Sequence, residues 1–220
     1  MFHLYGLIIG VGVVAVWTVS ERLEPRVSRV LPWMLFGALV GARVYHVVDQ
    51  WTYYSTHLLN ILALWNGGLA IWGGVIGGFA ALEFSTHNFQ FSKETQWNIL
   101  GAICTALPLG QAIGRWGNGA NGEFANIVFD TVPWWLAESV LDLILFALLW
   151  YVSRIWRVGK DTHLGRKQVG LYLVGYGFIR GVLEWERLVP WTLVGVPTAV
   201  WASGVGIVSG MFLLLYKYTP

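Results

Sequence analysis

Two clusters in this sequence carry the side chains best suited to chemistry. The first is Gly114-Arg115-Trp116-Gly117-Asn118-Gly119-Ala120-Asn121-Gly122-Glu123. Its glycines permit positive φ and close approach of backbone to a ligand. Arg115 offers a planar donor fork that suits phosphate, and Asn118 and Asn121 offer amide donors. Glu123 suits two roles, balancing Arg115 or accepting a proton. The plainer reading of the same stretch is a glycine-rich turn whose interfacial arginine snorkels to water. The second cluster is Tyr176, Arg180 and Glu184, spaced i, i+4 and i+8 and so on one helix face that lipid would not tolerate. Its plainer reading is an internal Arg180–Glu184 pair that only locks packing.

The elements that must position these groups are apolar helices. Hydrophobic residues make up 56% of the 220 residues and charged ones only 12%, too little polar surface to coat a soluble globule. Fourteen Trp, with Tyr and Phe, match the demand of aromatic belts at two membrane interfaces. Seven windows reach the length of a spanning helix, about 20 residues: 4–20, 31–49, 61–83, 96–114, 133–152, 168–185 and 197–216. No intervening stretch is long enough for a second domain. The expectation is therefore an all-α polytopic protein of about seven transmembrane helices, forming a single transmembrane domain over 1–220. The first window lacks a basic leader and a small-residue cleavage site, so it reads as a retained span. Pro108, inside the fourth window, is expected to kink that helix ahead of the Arg115 stretch.

Basic residues orient the chain. An outside N-terminus and a cytoplasmic C-terminus place Arg22, Arg26, Arg29, Lys93, Arg154, Arg157, Lys160, Arg166, Lys167 and Lys217 inside, ten of the fourteen Lys and Arg. The exceptions, Arg43, Arg115, Arg180 and Arg187, fall in the outer half of a span or just beyond it. A charge near the bilayer centre costs above ~2.5 kcal/mol, so such residues are paired, wet or functional. The single cysteine, Cys104, lies in an apolar run and reads as packing; it excludes a disulfide framework and a cysteine metal site. The net charge of +2 is scattered and leaves no nucleic-acid footprint.

The Arg115 stretch closely resembles the signature of the prolipoprotein diacylglyceryl transferase family, and four further motifs agree in order along the chain. They are Leu4-Tyr5-Gly6-Leu7, Gly41-Ala42-Arg43-Val44-Tyr45, Trp65-Asn66-Gly67-Gly68-Leu69-Ala70-Ile71-Trp72-Gly73-Gly74 and Tyr176-Gly177-Phe178-Ile179-Arg180. The resemblance implies a seven-span enzyme of the bacterial plasma (inner) membrane whose site faces the periplasm or exterior. It implies transfer of the diacylglyceryl group of phosphatidylglycerol to the lipobox cysteine of a prolipoprotein, with glycerol-1-phosphate released and no cofactor. On that reading Arg115, Arg180, Glu123 and Tyr5 are catalytic. Asn118, Asn121, Gly117, Tyr176, Gly67, Gly68 and Arg43 bind substrate.

This chain departs from the family pattern in three places. Trp72 stands where many relatives have a histidine proposed as the base, which leaves His46, Glu123 and Tyr176 as substitutes, with His46 reading as packing. Asn126 stands where many relatives have glycine. The loop after Arg187 is short. Two other classes of function remain: a non-catalytic phospholipid-binding scaffold, favoured by the missing histidine, and a haem anchor ligated through His3, His46 or His57, disfavoured because only His46 lies well within a span.

Overall fold

The computed structural model describes residues 4–122, 128–129, 131–158, 163–184 and 192–216. Helices dominate: α1 (Leu4–Leu23), α2 (Val27–Asp49), a short α3 (Trp51–Tyr54), α4 (Ile71–Asn88), α5 (Lys93–Ala120), α6 (Trp134–Val158), α7 (Leu164–Glu184) and α8 (Thr198–Leu215). Two 3₁₀ turns, Leu58–Leu62 and Leu64–Asn66, lie between α3 and α4. Two antiparallel pairs complete the described structure, β1 (Val128–Phe129) with β2 (Val132–Pro133) and β3 (Thr192–Leu193) with β4 (Val196–Pro197). Val194 and Gly195 turn the second pair with φ of 54° and 76°, the left-handed conformation a two-residue hairpin demands.

Among the described residues, four helices can cross a membrane by length and composition: α1, α2, α8 and α6 over Trp134–Arg157. The chain divides into two compact units, residues 26–96 and residues 1–25 with 97–220. In the first, α2 packs on α4 through paired glycines four residues apart. A Cβ on Gly41 would strike the Gly73 carbonyl, and one on Gly77 the Gly37 carbonyl. Such small-residue seams let helices approach where lipid supplies no hydrophobic drive between them. In the second unit Gly12 meets Gly110, Gly101 meets Gly165 and Gly170 meets Gly210 in the same way. Its core gathers Cys104, Trp134, Leu145, Leu149, Val169, Tyr172, Ile179 and Leu183 from α5, α6 and α7.

Two expected spans are corrected. Over 61–83 helix begins only at Ile71, because Gly67 and Gly68 take φ of 77° and 74°, which no α-helix accommodates. The fourth helix does not stop at Gly114 but runs from Lys93 to Ala120. Its end is marked by Gly122, at φ 70°, whose N–H donates to the Gly119 carbonyl. Pro108 is fully buried inside this helix, which continues past it.

Candidate active site

The extension of α5 changes what the glycine-rich stretch is. Arg115, Gly117 and Asn118 project from the last turns of a helix rather than from a loop. Gly117 is small for a packing reason, since a Cβ there would lie 3.0 Å from Cδ2 of Tyr5 on α1. Gly119 is likewise covered by the Trp135 ring, 2.8 Å from where its Cβ would be. Asn118 is half-buried near the end of α5, and Asn121 is exposed just beyond it, its N–H bonded to the Gly117 carbonyl. Glu123 lies outside the described residues, as do Asn126 and Arg187.

Arg115 Nη2 donates to Glu138 Oε1 at 2.8 Å, and Arg180 Nη1 donates to that same oxygen at 3.1 Å. Arg180 Nη2 donates to Glu184 Oε2 at 2.7 Å, the i,i+4 pair expected along α7. Both guanidiniums lie against the Trp134 ring, 5.6 and 5.5 Å from its centroid. Trp134 is fully buried and held by a 3.2 Å bond from Nε1 to the Leu183 carbonyl. The two arginines therefore share one carboxylate and one aromatic wall. Their mutual repulsion is offset by two acids, Glu138 fully buried and Glu184 nearly so.

Helical spacing builds this centre. Trp134, Glu138 and Asp142 recur every fourth residue on α6, Gln111 and Arg115 on α5, and Tyr172, Tyr176, Arg180 and Glu184 on α7. Each helix presents one polar stripe to the others. Below the arginines Tyr172 stacks on Tyr176 at 5.6 Å, and Gln111 Nε2 donates to the Tyr172 hydroxyl at 3.1 Å. Asp142 is fully buried, and among the described residues neither of its carboxylate oxygens is hydrogen-bonded, nor are Arg115 Nε and Glu138 Oε2. Arg180 spends both terminal nitrogens on acids, whereas among the described residues Arg115 commits only Nη2 and keeps a fifth of its side chain exposed, so Arg115 is better placed to grip an anion. Among the described residues no three His, Cys, Asp or Glu converge to hold a metal ion.

The structure thus groups Arg115, Arg180, Tyr176, Gly117 and Tyr5 within one unit. Arg43, Gly67 and Gly68 come together in the other. Buried Arg43 there donates to the carbonyls of Asn60, Ile61, Ala63, Gly67 and Gly68, and a Cβ on Gly68 would collide with Arg43 and His46. The His46 ring meets Tyr54 edge-on at 5.9 Å, as a packing residue does. Trp72 is exposed at the start of α4.

Sequence reasoning missed Glu138, Trp134 and Asp142. The signal was present: two acids four residues apart inside the apolar window 133–152, the same pattern that singled out Arg180 and Glu184.

Fold and site together define a helical membrane protein, with several helices able to cross the bilayer, built around a buried arginine–carboxylate centre. A family model described as "Prolipoprotein diacylglyceryl transferase" matches residues 1–216, and the chain belongs to that family. It is 30% identical to the phosphatidylglycerol–prolipoprotein diacylglyceryl transferase of Streptococcus uberis, over 98% of this chain and 90% of the relative. It is 32% identical to the protein of that name from Limosilactobacillus reuteri (98% and 86%) and 31% identical to that from Streptococcus pneumoniae (82% and 73%).

Proposed function

We propose that this protein transfers the diacylglyceryl group of phosphatidylglycerol to the lipobox cysteine of a prolipoprotein, the first step of lipoprotein maturation. Family membership over nearly the whole chain supports this above a non-catalytic lipid-binding scaffold. The observation that carries the mechanism is the sharing of Glu138 Oε1 by Arg115 and Arg180. The cysteine sulfur forms a bond to a glyceryl carbon while that carbon's bond to the phosphate oxygen breaks. The electron pair leaves with glycerol-1-phosphate, and the thiol proton passes to a base.

A departing phosphate needs preorganised positive charge. Arg115, held by Glu138 with donors to spare, supplies the contact, and Arg180 adds potential behind it. Asn118 and Asn121 orient the headgroup, while Tyr5, packed on Gly117, and Tyr176 line the pocket. The thiol proton passes to one of the substitutes for the missing histidine, Glu123, Tyr176 or His46, of which Glu123 is the acid nearest Arg115 in sequence. Gly67, Gly68 and Arg43 serve substrate binding through the loop that Arg43 shapes. The protein crosses the bacterial plasma membrane seven times as one transmembrane domain, N-terminus outside, with the site facing outward. This topology rests on the distribution of Lys and Arg.

The deciding experiment incubates purified protein with phosphatidylglycerol and a lipobox peptide and weighs the peptide. A diacylglyceryl adduct on the cysteine is the expected product. Peptide that stays unmodified in the presence of folded wild-type protein overturns the assignment.

A further inference from the structure

Residues 58–70, Leu-Leu-Asn-Ile-Leu-Ala-Leu-Trp-Asn-Gly-Gly-Leu-Ala, are as apolar as a spanning helix yet form two 3₁₀ turns and an irregular stretch through Gly67 and Gly68. Such a backbone leaves carbonyls that a helix would have paired. In water they need no help. In hydrocarbon each one left unpaired carries a large penalty.

Arg43 answers that need at five of the carbonyls. Its Nε donates to Ile61 (2.8 Å), Nη1 to Gly67 and Gly68 (2.6 and 3.0 Å) and Nη2 to Asn60 and Ala63 (2.5 and 3.3 Å). All five N–H groups of a guanidinium are thereby directed at the carbonyls of one loop. Five of the loop's own N–H groups are paired as well: Asn60 to His57, Ala63 to Asn60, Asn66 to Ala63, Gly67 to Leu64, and Ala70 to Ala42 on α2. The side chains point the other way. Leu59, Leu62 and Trp65 are 89%, 75% and 81% exposed, a contiguous apolar surface that runs on into Ile71 and Trp72 at the head of α4.

A loop that turns its backbone polarity inward and its leucines outward is built for lipid. We infer that residues 58–70 form a re-entrant loop inserted among the acyl chains at the edge of the bilayer, with Arg43 as its internal hydrogen-bond donor. Arg43 is then a positioning residue for the Gly67–Gly68 turn, its charge directed at the loop. The inference stands independently of the transferase reading.

The test uses Cys104→Ala protein in phosphatidylglycerol-containing liposomes, with single cysteines at Leu59, Leu62 and Trp65 and, as the aqueous control, at Gln50. Each is labelled with the fluorophore NBD and quenched either by nitroxides on lipid chains or by a water-soluble nitroxide. The three loop positions are expected to emit to the blue of Gln50 and to be quenched more strongly from the chains. Aqueous quenching equal to that at Gln50 at all three would overturn the insertion, whatever the activity. Adding Arg43→Leu should move the loop labels toward the aqueous pattern. Unchanged depth in that variant overturns the role of Arg43, and if it fails to fold, the depths measured with Arg43 in place still decide the insertion.

Discussion

Arg115 on α5 and Arg180 on α7 meet at a single oxygen, Glu138 Oε1, although 65 residues separate them in the chain. Two like charges stay at this separation only because a buried carboxylate lies between them. The prediction is that Glu138→Gln breaks the centre while changing almost no volume. Removing one partner of a buried ionic network costs about 3–5 kcal/mol. Thermal unfolding in detergent should fall accordingly, with diacylglyceryl transfer lost. A stable, active Glu138→Gln protein would mean that the arginines do not depend on this acid.

Arg115→Lys should be nearly as damaging as Arg115→Ala. Lysine retains the charge but cannot bond Glu138 and a phosphate with one planar group. A loss of roughly a hundredfold or more in turnover is expected, the scale of removing a donor to a developing anion. Near-normal turnover at unchanged protein level would reduce Arg115 to a source of general positive potential.

Gly117 and Tyr5 should behave as a coupled pair. A methyl at Gly117 would sit 3.0 Å from the Tyr5 ring, tighter than ordinary contact. Gly117→Ala is expected to lower activity by displacing Tyr5, while Tyr5→Phe preserves the packing. In a double-mutant cycle Gly117→Ala should cost less stability in a Tyr5→Ala background, with a coupling of about 0.5–3 kcal/mol. Strict additivity would show that the two side chains do not constrain each other.

Asp142→Leu is expected to leave stability unchanged or to raise it. Among the described residues neither oxygen of this fully buried carboxyl has a hydrogen-bond partner, so deleting it removes an uncompensated polar group worth about 1–3 kcal/mol. The melting temperature is the readout. A marked drop would reveal a partner that stabilises the carboxyl.

Orientation is tested by labelling. Cysteines at Tyr53 should react with an impermeant reagent from outside intact cells, and cysteines at Arg26 and Arg157 only after the membrane is opened. The opposite pattern would place the arginine centre on the cytoplasmic side.

Much of this protein is legible in one dimension, because the bilayer reduces folding to a few rules. Apolar windows long enough to span must be helices, and charges inside them must have a purpose. That reasoning finds the helices, finds Arg115 and Arg180, and places Tyr176, Arg180 and Glu184 on one face, where the Arg180–Glu184 pair indeed forms.

Two things were decided only in three dimensions. Apolar content alone does not separate a spanning helix from a loop whose backbone is satisfied elsewhere. The non-helical backbone of 58–70 has its carbonyls bonded by Arg43, a residue far enough away in sequence that no local pattern connects them. The partner of Arg115 was hidden in the same way. The nearest acid along the chain, Glu123, lies outside the described residues; among those described, α6 packs against α5 so that Glu138, 23 residues on, bonds Arg115. Hydropathy records which residues avoid lipid; which of them meet is set by the small residues that let helices approach, and that is a property of the packed helices.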